Sequence, residues 1–136
     1  MDALTATTDK QSFRILKCGI PAETADMYLC KSNVPPVTYH QCTVPDGVDV
    51  KHWFSYHGNR DIIPAWSLSA LLAILPREIR NGDVHGVLSM QVYGDGWIVS
   101  YNDFERGVTL FKEEDLKLTE ACVLMVEVLH TFDVLK

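Results

Sequence analysis

The stretch that decides the fold is residues 88–101, LSMQVYGDGWIVSY, in which two alternating apolar runs flank a glycine-rich turn. Alternation with a period of two is typical of a half-buried strand, and Asp-Gly between two such runs is a strong hairpin signal. With Asp95-Gly96 as a two-residue loop, the sequence predicts an antiparallel hairpin with one apolar face. That face carries Leu88, Met90, Val92, Trp97, Val99 and Tyr101.

Three other stretches have the composition of strands. We predict a hairpin of residues 27–31 and 37–43 around a turn at 32–36, a strand over 48–56 and a last strand over 107–111. The strand over 48–56 is predicted because Val48, Val50, Phe54 and Tyr56 share one parity. The prolines of the first turn favour an edge position for that hairpin, because proline cannot donate to a ladder.

Helix signals appear at three places. Thr8 and Gln11 form a capping box that begins a first helix, and Gly19 followed by Pro21 ends it. Ser67 is the predicted N-cap of a second helix, which Pro76 ends. A third helix is predicted from about Glu114 to Phe132, with residues 113–115 as acidic side chains at its N-terminus.

The predicted helices are amphipathic. The first helix is expected to bury Phe13 and Leu16, with Ile20 beyond its end, and to expose Lys10, Arg14 and Lys17. Along the third helix the predicted buried stripe is Leu118, Ala121, Cys122, Met125, Leu129 and Phe132. Leu124 falls in the middle of the opposite, polar face. These elements together predict an α+β fold.

The predicted architecture is a mostly antiparallel sheet, made of a hairpin and a meander, covered on one face by three helices that include the N-terminal and C-terminal ones. A chain of 136 residues with 47% hydrophobic side chains is long enough to form a core without disulfides or metals. We therefore expect residues 1–136 to be a single α+β domain without a cofactor.

Charge and cysteine content narrow the possible partners and location. A formal net charge of −6 disfavours binding to nucleic acid. The four cysteines lie far apart and form no Cys-x-x-Cys pair, and the N-terminus lacks the features of a secretory signal, so we expect a cytoplasmic protein. No apolar stretch approaches the length that a membrane helix needs, so we expect no membrane partner.

Histidines supply one hypothesis about catalysis. His40, His52 and His57, with Cys42 nearby in the sequence, are residue types that bind transition metals or serve a small hydrolase. Their spacing matches no metal or nucleophile motif, so scattered hydrogen-bonded histidines are the favoured interpretation. A small hydrolase or metal-dependent enzyme using these histidines is kept as the alternative function.

Aromatic residues supply the other hypothesis. Trp53 lies on the polar parity of its predicted strand and Tyr93 on the polar face of its hairpin, so the two are candidates for a shared patch that binds a partner protein. Half-buried packing at the edge of the core is the favoured alternative for these aromatic side chains. Leu124 is a third candidate because it is apolar on a polar helix face. We expect Leu124→Glu to weaken self-association or partner binding if that face is used.

Two motifs carry a family resemblance. Residues 20–28, IPAETADMY, and residues 63–72, IPAWSLSALL, followed by Leu75-Pro76, resemble a set of small proteins of gut Bacteroidales genomes and their prophages or mobile elements. That resemblance implies a capped first helix, a strand meander and a closing helix, and it implies no particular activity. The first hypothesis is therefore a non-enzymatic accessory or protein-interaction module of bacterial, phage-related or mobile-element origin, acting with a protein partner or as a homodimer.

Overall fold

The computed structural model describes residues 6–32, 35, 38–57 and 62–135, with the backbone alone described at 55–57. Within these ranges the helices are α1 (Asp9–Lys17), α2 (Val50–His57), α3 (Leu68–Ile74) and α4 (Leu118–Thr131), with a 3₁₀ turn at Ala22–Thr24. The strands are β1 (Met27–Lys31), β2 (Tyr39–Thr43), β3 (Ile62–Ala65), β4 (Glu78–Asn81), β5 (Val84–Tyr93), β6 (Gly96–Asp103) and β7 (Val108–Asp115). The predicted α+β class is confirmed.

The strands form two antiparallel sheets rather than the one predicted sheet. Three strands pair in the order β2-β1-β3 and four in the order β4-β5-β6-β7. The chain divides into two compact units, residues 1–70 and 71–136, and each unit contains one sheet. The expectation that residues 1–136 act as one domain stays a prediction.

The first unit is built on β1, which pairs with β2 on one side and with β3 on the other. Alternate residues of the sheet point to a core on one face, as strand geometry requires. This core consists of Ala6, Met27, Leu29, Ile63 and Ala65. The predicted turn at 32–36 lies mostly outside the described residues.

Trp66 is fully buried in this unit, and its indole and backbone N–H groups donate hydrogen bonds there. Its indole N–H donates to the Thr24 hydroxyl over 2.9 Å, and its backbone N–H donates to the Thr7 hydroxyl over 3.0 Å. Thr7 in turn shares a hydrogen bond of 2.8 Å with the Ser12 hydroxyl. A buried indole needs such a partner, so the threonine of the first motif and the tryptophan of the second form one structural contact.

Helix α1 confirms its predicted capping box, because the Thr8 hydroxyl accepts from Gln11 and the Gln11 side chain accepts from Thr8. The predicted buried face is wrong at Phe13, which is 51% exposed. Ser12 and Ile15 are fully buried instead. The hydrogen bond between the Ser12 and Thr7 hydroxyls allows a polar residue to turn inward, which rotates the apolar residue Phe13 toward solvent.

The predicted strand over 48–56 is also wrong, because Val50–His57 is helix α2. Asp49 accepts the backbone N–H of His52 through its side chain over 3.3 Å, as a helix N-cap residue does. The Trp53 ring lies 4.8 Å from Tyr28 on β1 and 5.1 Å from Phe54, and Phe54 is buried. Packing of these rings against one another within the first unit overrides the alternating pattern.

In the second unit, α4 lies against β6 and β7. Val99 and Tyr101 of β6 are fully buried, as are Cys122 and Met125 of α4, and the rings of Phe111 and Phe132 are 5.6 Å apart. The hydroxyl of Tyr101 donates to the Pro76 carbonyl oxygen over 2.7 Å. The predicted buried stripe of α4 is therefore confirmed in its middle, whereas Phe132 is exposed.

Two boundaries in this unit differ from prediction. Residues 113–115 belong to β7, and α4 begins only at Leu118, because β7 pairs with β6 as far as Asp115 opposite Trp97. Residues 78–81, which follow the predicted second helix and were not predicted as a strand, form β4 against the start of β5. The acidic side chains expected at a helix N-terminus therefore lie on a strand.

The β5–β6 hairpin has a loop of two residues and the predicted faces, since Met90 lies opposite Val99 and Val92 opposite Trp97. The predicted loop Asp95-Gly96 is wrong, because Tyr93 pairs with Gly96; the loop is Gly94-Asp95 and the register is shifted by two residues. Gly94 has a φ of 58°, so glycine takes the first loop position.

Candidate functional site

A groove lies at the loop end of the β5–β6 hairpin and has a volume of about 440 Å³. That volume is within the range of ligand sites in proteins. The groove is lined by Tyr93, Gly94, Asp95, Gly96, Trp97, Glu114, Asp115 and Leu116, all in the second unit. We call this site the hairpin groove.

Glycine at position 96 allows the groove to form. A side-chain Cβ built on Gly96 would lie 2.5 Å from the Asp115 carbonyl oxygen and 3.0 Å from the Leu116 Cα. The end of β7 therefore crosses directly beside the start of β6, and only glycine leaves room for it. With no side chain at position 96, Tyr93 and Leu116 border an open space, and they are 64% and 72% exposed.

The charged residues that line the hairpin groove are all acidic. Asp95, Glu114 and Asp115 contribute carboxylates, and the described lining residues include no lysine, arginine or histidine. Asp115 accepts the backbone N–H of Lys117 over 2.8 Å, which holds its carboxylate at the end of β7. The groove thus combines the exposed ring of Tyr93 and the apolar side chain of Leu116 with a negative charge that attracts a cation.

The outer side of β5 forms a second feature that leads into this groove. On that side β4 pairs only with residues 84–87 of β5, and the backbone N–H of Leu88 donates to the Arg77 carbonyl oxygen over 2.9 Å. Beyond Leu88, no strand in the described parts of the chain pairs with this side of β5. We call residues 89–93 the open edge.

The backbone groups of Met90 and Val92 point outward at the open edge. In an antiparallel ladder the N–H and C=O groups of successive residues point to opposite sides. Because the Leu88 N–H points away from β6, the same groups of Met90 and Val92 do so as well. These residues offer donors and acceptors to a further strand.

The side chains of the open edge are apolar or uncharged. Met90 is 39% exposed and Val92 is 67% exposed, although both belong to the predicted apolar face. They are exposed because α4 lies against β6 and β7, so this face is covered only farther from β5. The opposite edge strand, β7, carries charges over residues 112–115, the usual protection of an edge against pairing.

Of the three predicted contact residues, the structure places one in this site. Tyr93 is both the last residue of the open edge and a wall of the hairpin groove. Trp53 is half-buried on α2 against Tyr28, not exposed on a strand. Leu124 is half-buried on α4. A patch shared by Trp53 and Tyr93 stays a prediction, because the two residues belong to different units.

The predicted histidines lie on two elements of the first unit, His40 on β2 and both His52 and His57 on α2. His40 is exposed on β2 opposite Cys30, and His52 is exposed on α2. Among the described residues no three histidine, cysteine or acidic side chains are grouped as metal ligands. The side chain of His57 lies outside the described residues, so the alternative enzymatic function stays a prediction.

Sequence reasoning missed Glu114, Asp115 and Leu116 as site residues. The acidic run at 113–115 had a sufficient explanation as the start of a helix, and only the pairing of β7 with β6 places it beside Trp97. A usable signal was present in Gly94 and Gly96 together, because a two-residue loop uses only one of these glycines. The other glycine indicates a close approach of backbone.

Comparison with protein-family models, with curated proteins and with solved structures finds no match for this chain. The longest helix of the described residues, α4, has 14 residues, and none of the described helices has the length and apolar composition to cross a bilayer. The assignment of a function therefore depends on the geometry of the hairpin groove and the open edge.

Proposed function

We propose that this protein is a non-enzymatic protein-interaction module that binds an extended segment of another protein along the open edge of β5. The observation that carries the proposal is the outer side of residues 89–93, which no strand of the described residues pairs with and which bears no charged side chain. Addition of a strand to an exposed edge is a recurring mode of peptide recognition. It uses backbone hydrogen bonds for affinity and alternate side chains for specificity.

The contacts available at the open edge suit this mode. Met90 and Val92 each offer one N–H and one C=O to an added strand. Side chains of that strand would cover Met90 and Val92 on one face, which removes exposed apolar surface from water. The adjoining hairpin groove then provides a pocket beyond Tyr93 for a further side chain.

The sequence supports a compartment, an origin and a class of partner for this interaction. We infer a cytoplasmic partner protein, because the cysteine pattern is typical of a reducing compartment. The motif resemblance supports an origin in a bacterial genome or a mobile element. A net charge of −6 supports a protein partner over a nucleic acid.

The test is selection of a phage-displayed library of random 12-residue peptides on the wild-type protein. Each selected peptide is then measured against Val92→Pro. Proline removes the outward N–H of Val92 and leaves the β5–β6 ladder, which does not use that group, so it is tolerated at an edge. Val92→Thr is the matched control because it keeps the N–H and the branched side chain.

Edge binding predicts peptides that lose at least about tenfold in affinity with Val92→Pro, the effect of roughly one or two hydrogen bonds, and little with Val92→Thr. Circular dichroism and thermal unfolding of both variants check that the fold is kept. If no selected peptide distinguishes the two variants, the proposal is wrong. Sedimentation of the wild type tests whether a second copy of the chain occupies the edge instead of a partner segment. A dimer that Val92→Pro dissociates would mean that a second copy pairs at this edge.

A further inference from the structure

We infer that the segment bound at the open edge carries a lysine or arginine side chain, and that this cationic group binds in the hairpin groove beside Tyr93 and Leu116. The inference rests on the proposed function and adds the chemical class of the ligand. It depends on three observations about the groove: its exposed tyrosine and leucine walls, its charge and its distance from the open edge.

The walls of the groove are suited to a basic side chain. Tyr93 and Leu116, both exposed, line a groove of about 440 Å³. The face of an aromatic ring such as that of Tyr93 attracts an ammonium or guanidinium group. Lysine and arginine also carry apolar stems that can lie along Leu116 while the charged group stays near water.

The charges of the groove complement such a group and disfavour an anion. Asp95 lies in the loop, and Glu114 and Asp115 lie at the end of β7, so carboxylates border the groove from both of its elements. Because the described lining residues supply no basic side chain, a basic group from a partner would meet the charge requirement of the site. A guanidinium can further donate several hydrogen bonds to carboxylate oxygens.

The distance from the open edge restricts where the basic residue falls in the partner. A strand added to β5 would lie one interstrand spacing from β5, and β6 lies one spacing from β5 on the other side. The added strand and β6 are therefore about 10 Å apart. An extended chain covers that distance in about three residues. We therefore expect the basic residue within about three positions of the residue that lies beside Tyr93.

The first experiment tests the groove without a peptide. N-propylguanidinium is titrated into the ¹⁵N-labelled protein and followed by the amide signals of Gly94 and Gly96 and the indole signal of Trp97. N-propylurea is the neutral control of similar shape. We expect saturable binding of the cation, on the order of millimolar, with no matching effect of the urea. Equal shifts with both compounds, or shifts spread over the whole surface, would overturn the inference.

Charge variants separate local from general attraction. Asp95→Asn combined with Glu114→Gln removes two carboxylates of the groove and should weaken binding of the cation about fivefold or more. Asp83→Asn combined with Glu105→Gln changes the net charge equally at two exposed positions outside the groove lining. An equal loss in both double variants would show nonspecific attraction and contradict the inference.

The peptides selected on the open edge provide the second experiment. Replacement of their lysine by glutamine, or of their arginine by citrulline, should weaken binding about tenfold in the wild type and far less in the Asp95→Asn, Glu114→Gln double variant. Edge-dependent peptides without a preference for a basic residue would refute the cation site and leave the strand-binding function intact. If no peptide depends on the edge, the proposed function fails, and the guanidinium titration still decides the groove.

Discussion

The carboxylate of Asp26 accepts two hydrogen bonds from Ser67, one from its backbone N–H over 2.9 Å and one from its hydroxyl. The Ser67 hydroxyl oxygen also accepts the backbone N–H of Ala70 over 3.2 Å, so the residue that caps α3 is held by the residue that precedes β1. Asp26 and Ser67 belong to the two motifs of the family resemblance. Those motifs therefore serve the architecture of the first unit.

Asp26→Ala is expected to lower the free energy of unfolding by about 1–3 kcal/mol, because it removes two hydrogen bonds to a charged acceptor and frees the cap of α3. Urea unfolding measures the change. Glu23→Ala is the control, since Glu23 is an exposed acid on the neighbouring 3₁₀ turn. Equal stability of the Asp26 and Glu23 variants would contradict the structural role of Asp26.

Gly96→Ala is expected to lower the free energy of unfolding by about 1–3 kcal/mol, because the added methyl group meets backbone atoms of Asp115 and Leu116. Gly86→Ala should cost less, since its Cβ meets chiefly the Leu110 side chain, at 3.0 Å, and that side chain can move. Thermal or urea unfolding compares the two variants. A larger effect at Gly86 would show that the backbone approach at Gly96 is not tight.

Cys122 is expected to resist alkylation in the folded protein. It is fully buried on α4, and burial raises the pKa of its thiol to about 11, so little thiolate forms at neutral pH. Cys18, Cys30 and Cys42 are partly exposed. Intact-mass analysis after iodoacetamide should therefore show up to three adducts in native buffer and a fourth only in denaturant. A fourth adduct formed at the same rate in native buffer would contradict the burial of Cys122.

Glu113→Gln is expected to raise the melting temperature at pH 7. Burial, and then the neighbouring carboxylate of Glu127, raise the pKa of Glu113 in the folded protein. The folded state therefore binds this proton more tightly than the unfolded state does, and stability falls as the pH rises from the unfolded pKa through the raised folded pKa.

Glutamine removes that loss, so the advantage of Glu113→Gln should be present at pH 7 and disappear near pH 3, where both proteins are uncharged at this position. Thermal unfolding at both pH values measures it. Glu105→Gln, at an exposed position, is the control and should show a smaller difference between the two pH values. A lower melting temperature of Glu113→Gln at pH 7 would mean that the charged form is favoured in the native state.

Local signals in the sequence determined several elements by themselves. The capping box of Thr8 and Gln11, the cap at Ser67 and the faces of the β5–β6 hairpin depend on residues close together in the chain, and the structure confirms them. A cap or a tight turn satisfies its own backbone groups, so its pattern needs little information from distant residues.

The tertiary structure alone decided the elements whose patterns allowed two outcomes. The alternation over 48–56 suits a strand, and α2 forms because Trp53 finds Tyr28 of β1. The apolar side chain of Phe13 is typical of a core position, but it is exposed because Ser12 and Thr7 form a hydrogen bond on the buried side of α1. These choices depend on partners distant in sequence or on a polar group that becomes satisfied only after folding.

The candidate site shows the same division. Tyr93 could be singled out from the sequence as an amphipathic side chain at a hairpin end. The carboxylates of Glu114 and Asp115 join it only because β7 extends to Asp115 beside Trp97, and the edge of β5 is open only because β4 ends its pairing at residues 84–87. Strand length and register depend on pairing between strands, which no single strand's pattern specifies, so the groove and the edge follow from the assembled sheet.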